Sequence, residues 1–225
     1  MKNLKALLFD LDGTLIDSEY FHYECWNEIL KEYQVILIYE DWLKTYAGVS
    51  LPDNAKKLLE KYNIQASLPD LISRRENLTL ERLKTKDLNL MPHVLEFIEF
   101  FHQKGLNLTI VTSSPRQDVE AIFERNGLEK YFSIIITRSE VTKNKLDPEC
   151  YNLCCKQLNI PKENCIVFED TIIGVKAALA AGITCFAIQN NKKEHESLNI
   201  ADQLFLNLRE AKDYILEHQA LTNGI

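Results

Sequence analysis

A chain of 225 residues with 46% hydrophobic content can close a substantial core, which excludes a disordered protein and fits one large domain or one domain with an insertion. Its net charge of −7, with no block of lysine or arginine, speaks against nucleic acid as a partner, because phosphate-backbone binding needs clustered basic side chains. No stretch reaches the roughly 20 apolar residues of a membrane span, and MKNLKALLFD lacks the long apolar segment and cleavage site of a signal peptide; a soluble, cytoplasmic protein acting on a small molecule is expected, and nothing demands more than a monomer.

The first apolar run, residues 5–10 (KALLFD), has strand length and composition. It leads into FDLDGTLIDSE, where Asp10, Asp12, Asp17 and Glu19 crowd one short segment. Carboxylates against an apolar wall are costly unless a cation, a proton or hydrogen bonds compensate them. From Asp17 to about Asp87 no strand pattern appears. Helical patterns surround Trp26, Ile29 and Leu30, then Trp42 to Tyr46, Ala55 to Leu59, and Leu71 to Leu83. Residues 17–87 are therefore expected to form an all-helical insertion, with joints at 15–18 and 89–92 and a core built from 1–16 and 88–225. Placed after the first strand, at the carboxyl ends of a parallel sheet, it is positioned to act as a lid.

Beyond the insertion, helix and strand alternate. Val94, Leu95, Ile98 and Phe101 mark a helix ended by Gly105, before the strand 107–112. Val119, Ile122 and Phe123 mark one ended by Gly127, before 133–137. Tyr151, Cys154, Cys155 and Leu158 precede the strand 165–170, and Val175, Ala178 and Leu179, ended by Gly182, precede 183–189 and 203–206. Glycine just past a helix supplies the left-handed residue that terminates it. The alternation predicts an α/β fold, a Rossmann-like parallel sheet with helices on both faces. No C-x-x-C pair occurs among the six cysteines, so they read as buried thiols; Cys150 and Cys154 have helical spacing, but no histidine completes a zinc set.

At the strand ends polar residues converge: Asp10 and Asp12, then Thr112, Ser113 and Ser114, then Lys145, then Glu169 and Asp170. Ser114 before Pro115 and Asp147 before Pro148 have the pattern of helix N-caps, which point N–H groups at a pocket. Oxygen donors in that number suit Mg2+ rather than zinc. Asp10, Asp12 and Asp170 are the candidate ligands, and Glu169 either joins them or hydrogen-bonds a loop. Lys145 would neutralise charge next to Asp10.

FDLDGTL, IVTSS, NKLDPECY and VFEDTIIGVKAALAAG, in that order and spacing, resemble the four motifs of the haloacid dehalogenase-like superfamily. The helical insertion, with DSEYFH at 17–22 and AGVS at 47–50, further resembles the β-phosphoglucomutase-like subgroup and its small cap. The resemblance implies that Asp10 is a nucleophile forming an aspartyl-phosphate and that Asp12 is the general acid, then the general base. It implies that Thr112 and the Ser113 amide hold phosphoryl oxygens while Lys145 and Mg2+ stabilise the phosphoryl group in transit. Ser113, Ser114, His22, Gly48, Arg75 and Arg116 are the candidate substrate contacts, and Asp17 is expected to order the hinge and cap the first cap helix.

The cap departs from the mutases of that subgroup. Leu51 stands where they keep an arginine after G-V-S, Ala47 where they carry a lysine, and Glu76 near a second lysine position, with Arg74 and Arg75 as neighbours that could substitute. A mutase must hold two phosphates and a phosphatase only one. Hydrolysis of a small phosphomonoester, a sugar phosphate or related metabolite, is therefore expected. Mutase chemistry is the alternative, since His22 matches a histidine used by the mutases; a non-catalytic binding protein is a third reading, against which the filled catalytic positions speak. Leu146 replaces a proline common after the motif lysine, with little consequence expected, and His93 replaces a glycine, which would stiffen the return hinge.

Overall fold

The structure is a computed structural model that describes residues 2–218 and 220–221. Two compact units divide the chain: Met1–Asp17, Asn89–Arg116 and Asn126–Ile225 form one, Ser18–Leu88 and Gln117–Arg125 the other.

The first unit carries a parallel sheet of β2 (Ala6–Phe9), β3 (Asn107–Val111), β4 (Phe132–Ile136), β5 (Cys165–Glu169), β6 (Thr184–Ile188) and β7 (Gln203–Phe205), in the order β4-β3-β2-β5-β6-β7. A separate pairing of β1 (Lys2–Leu4) with β8 (Ala220–Leu221) had no clear signal in the sequence. From β2 the chain winds outward through β3 and β4, then returns to β5 on the other side of β2. The winding thus changes direction between β2 and β5, and open α/β sheets bind ligands at the carboxyl ends of the strands at such a point.

Strand alternation sorts the two faces. Phe9 and Phe168 are registered neighbours whose rings stack 5.0 Å apart, and Phe97 on α5 (Val94–Gln103) meets both. On the opposite face Ala6, Leu8, Cys165 and Val167 pack with Tyr151, Cys154 and Cys155 of α7 (Glu149–Leu158) and Val175 and Ala178 of α8 (Ile172–Ala180). All six cysteines are buried free thiols.

The second unit contains α1 (Glu19–Leu30), α2 (Tyr39–Thr45), α3 (Leu51–Tyr62) and α4 (Leu68–Leu83), packed on Trp26, Trp42, Tyr46, Leu58 and Leu71. The tetrapeptide SLPD starts both α3 and α4: Ser50 accepts the Asp53 N–H at 3.3 Å and Ser67 the Asp70 N–H at 3.2 Å, with proline in each first turn. The N-cap of α1 is Ser18 rather than Asp17, whose N–H donates to the Asn89 carbonyl at 2.9 Å. That bond, Met91 N–H to Leu15 O at 2.8 Å, and an antiparallel bridge between Ile16 and Leu90 zip the outgoing and returning segments together. His93 then opens α5 with φ +67, a left-handed conformation that glycine adopts more cheaply. Among the described residues no helix is long and apolar enough to cross a membrane.

Candidate active site

Phe9 and Phe168 share a register position, so Asp10 and Glu169, one residue further along, leave β2 and β5 side by side on the α7 face. The Asp10 N–H is held by the Phe168 carbonyl at 3.0 Å. Lys145, in the loop before α7, binds Asp10 Oδ1 and, at 2.7 Å, Glu169 Oε1. Asp10 and Glu169 are buried, and the Lys145 side chain between them is only 6% exposed.

Asp170 is brought in by a close backbone approach. Gly13 turns the β2 loop at φ +80, its N–H donating to Ile16 O at 2.8 Å, and a β-carbon there would lie 2.1 Å from Asp170 Oδ2. Only glycine admits both that φ and that proximity. Next to it, the Thr14 hydroxyl donates to Asp170 Oδ1 at 3.3 Å. A second glycine seats Glu169: Thr171 caps α8 by accepting the Gly174 N–H at 3.2 Å, and a β-carbon on Gly174 would lie 1.9 Å from Glu169 Cδ. The amino end of α8 thus abuts a carboxylate, as its dipole favours.

The protein's own charges leave this cluster short of cations. The Asp10 carboxyl is pushed up to about 8, with burial the largest cause, Lys145 opposing it, and the Glu169 and Asp12 charges adding to it. Burial opposes the charge on Lys145 as well, but the Asp10 and Glu169 carboxylates outweigh it and hold the ammonium above the ordinary lysine range. Asp10, Glu169 and Asp170 can each offer an oxygen within 4.8 Å of the others. An all-oxygen donor set with surplus negative charge fits a hard divalent cation.

Asp12, expected among the ligands, stands beside this set instead, its Oδ2 accepting the Ser114 hydroxyl at 2.6 Å, and the Ser114 N–H donates to Thr112 Oγ1 at 3.1 Å. The helix expected to start at Pro115 runs Arg116–Asn126 (α6). Asp147, expected as an N-cap, precedes the Pro148 cap position but still accepts the Glu149 N–H at 3.0 Å. Leu146 is more than a neutral replacement: its φ of +25 is closed to proline, whose ring locks φ near roughly −65°.

Ser113 is exposed. Arg116 is committed to the Ile135 carbonyl at 2.7 Å and to Glu140 at 3.0 Å. His22, Gly48 and Arg75 belong to the helical unit, where Arg75 Nη2 meets His22 Nδ1 at 3.0 Å, its guanidinium 5.6 Å from the Trp26 ring. Arg75 is buried, and Gly48 is exposed with φ +68.

Sequence reasoning passed over Thr14, Gly174 and Tyr151 as site residues. Tyr151 reads as one apolar position of a helical stripe, yet its hydroxyl donates to Glu169 Oε1 at 2.5 Å. The available signal was chemical: a tyrosine in a buried stripe needs an acceptor for its O–H.

The sequence profile of the haloacid dehalogenase-like hydrolases matches residues 7–188. The phosphorylated carbohydrates phosphatase of Thermotoga maritima is 33% identical over 180 residues, 80% of this chain and 82% of that protein. The validoxylamine A 7'-phosphate phosphatase of Streptomyces hygroscopicus subsp. limoneus is 29% identical over 221 residues, 92% and 96% of the two chains. The crystal structure of CbbY from Rhodobacter sphaeroides in complex with phosphate has a TM-score of 0.79 over 89% of this chain and 93% of that one; at 23% identity this is a likeness of fold.

Proposed function

The chain belongs to the haloacid dehalogenase-like hydrolases, and from that premise we propose that it is a Mg2+-dependent phosphatase of small phosphomonoesters, sugar phosphates among them, working through an aspartyl-phosphate on Asp10. The observation that carries the reading is the group of buried Asp10, buried Glu169 and half-buried Asp170, with Lys145 bridging the first two. Relatives named as phosphatases of phosphorylated carbohydrates and of a validoxylamine phosphate support the substrate class.

In this reading an Asp10 oxygen attacks phosphorus, and the bond from phosphorus to the leaving oxygen breaks as Asp12 gives that oxygen a proton. Asp12 then takes a proton from water, which attacks the aspartyl-phosphate, releases inorganic phosphate and restores Asp10. Ser114 fixes Asp12 through its 2.6 Å bond. Thr112, whose oxygen already accepts the Ser114 N–H, keeps its own proton for a phosphoryl oxygen. Lys145 offsets phosphoryl charge beside the nucleophile. Held by Asp10 and Asp170 with Glu169, Mg2+ would supply charge neutralisation and orientation of the phosphoryl group.

The helical unit is assigned the choice of substrate. His22, whose ring meets Arg75, is its candidate contact, with Arg75 as a buried support rather than a grip.

The test is a panel of phosphate esters with Mg2+ or with a chelator, run on wild type and Asp10→Asn. Turnover that needs both Mg2+ and Asp10 is expected. Retained hydrolysis of p-nitrophenyl phosphate by Asp10→Asn would overturn the mechanism, and conversion of β-glucose 1-phosphate to glucose 6-phosphate without phosphate release would replace the phosphatase with a mutase.

A further inference from the structure

The buried hydroxyl of Tyr151 has no part in the steps above, yet it reaches the charged cluster. It donates to Glu169 Oε1 at 2.5 Å, the same oxygen that takes Lys145 Nζ at 2.7 Å, and the Lys145 ammonium lies 5.5 Å from the Tyr151 ring centroid. Tyr151 is fully buried in the core shared by α7 and the sheet, between Cys150 and Cys154 in the helical stripe. Packing alone asks only for a large apolar side chain at that position, and phenylalanine would fill the same space. The hydroxyl is the part that packing does not explain.

We propose that Tyr151 is a positioning residue for the nucleophile's ammonium partner: by occupying Glu169 Oε1 it shares the acceptor with Lys145 and leaves Lys145 directed at Asp10. The inference rests on the phosphoryl-transfer reading, since it assigns Lys145 a role at Asp10 during reaction. Glu169 is seated from its other side by Gly174 and lies 3.5 Å from the Thr171 hydroxyl. Its carboxylate is therefore confined, and the balance between its two donors at Oε1 decides where the lysine points. Without the phenol, Lys145 becomes the sole donor to Oε1. The ammonium is then drawn toward Glu169 and away from Asp10, where phosphoryl charge must be neutralised. The ring also presents its π face to the ammonium, a contact that phenylalanine retains.

Tyr151→Phe isolates the hydroxyl, because it keeps ring volume and the π contact in a buried site. Expected is a kcat lower by roughly tenfold with KM within about twofold, the pattern of a contact that matters in the transition state more than in substrate binding. In a crystal structure of the variant, Lys145 Nζ is expected to move off Asp10. Cys154→Ala, which perturbs the same helix where its thiol meets Thr109 rather than the carboxylates, is expected to lower thermal stability and leave kcat alone. A Tyr151→Phe enzyme that melts earlier but keeps wild-type kcat and an unmoved Lys145 would overturn the proposal and leave the hydroxyl a packing contact. If wild type hydrolyses no phosphate ester, the phosphatase reading fails by itself. The crystal structure of Tyr151→Phe then still decides: a displaced Lys145 upholds the positioning role and an unmoved one ends it.

Discussion

Replacing Gly13 by alanine tests whether the loop after β2 must approach Asp170 as closely as it does. Two costs are separable. The first is conformational: at φ +80 an L side chain costs about 1–2 kcal/mol. The second is steric: the new β-carbon would lie 2.1 Å from Asp170 Oδ2 and 2.8 Å from its Cγ, so the carboxylate must retreat until the pair reaches an ordinary contact of 3.4 Å or more. A displacement of about 1 Å at a reacting centre can cost on the order of 100-fold in rate. Gly105→Ala supplies the control, because Gly105 has a similar φ of +77 and a β-carbon added there would meet nothing within 4 Å. Both variants should melt lower by about 2–8 °C, from the conformational cost in a chain of this size. Only Gly13→Ala should lose activity, by roughly 100-fold, together with weaker Mg2+ binding in calorimetry. Equal activity and equal Mg2+ affinity in the two variants would refute the reasoning, since the contact with Asp170 would then carry no consequence.

Three further outcomes follow from the same geometry. His93→Gly should raise the melting temperature by about 2–4 °C, because relieving the left-handed residue returns about 1 kcal/mol; a lower melting temperature would show that the His93 side chain stabilises more than its backbone costs. Ser67→Ala should cost about 1 kcal/mol by removing the acceptor for the Asp70 N–H, read by urea denaturation, and no loss would mean another acceptor takes that N–H. Mg2+ at about 100 times its dissociation constant should stabilise wild type by about 2.7 kcal/mol, an effect reversed by chelation and much reduced in Asp170→Asn; an equal gain in the variant would place the cation elsewhere.

The sheet was legible because its signals are local. Each of its six strands is a short apolar run, and Gly105, Gly127 and Gly182 take positive φ just past helix ends, as punctuation of that kind requires. The acids were legible because D-x-D-G follows one buried strand and E-D closes another, and Lys145 because it precedes Asp147-Pro148 at the start of a helix. Cap positions were less so: α1 is capped one residue later than expected, and α6 begins after Pro115 rather than at it. There distant partners decide: the Asp17 N–H goes to the Asn89 carbonyl and the Ser114 hydroxyl to Asp12. Arg116 shows the same limit, since its charge suggested an anion contact while the fold sets the Ile135 carbonyl of β4 and Glu140 beside it.

What the sequence by itself determined is the set of chemical groups and their order: a strand ending in Asp10, a helical excursion, and strands ending in Thr112 and in Glu169-Asp170, all written in periodicities that span a few residues. Tertiary structure alone decided which of those groups meet. The return of β5 to the flank of β2, in a register that levels Phe9 with Phe168, sets Asp10 against Glu169, and the shared face of the sheet brings Lys145 and the Tyr151 hydroxyl to the same carboxylate oxygen. Pairing and facing are properties of strands far apart in the chain, and they are settled only when the whole sheet closes on its helices.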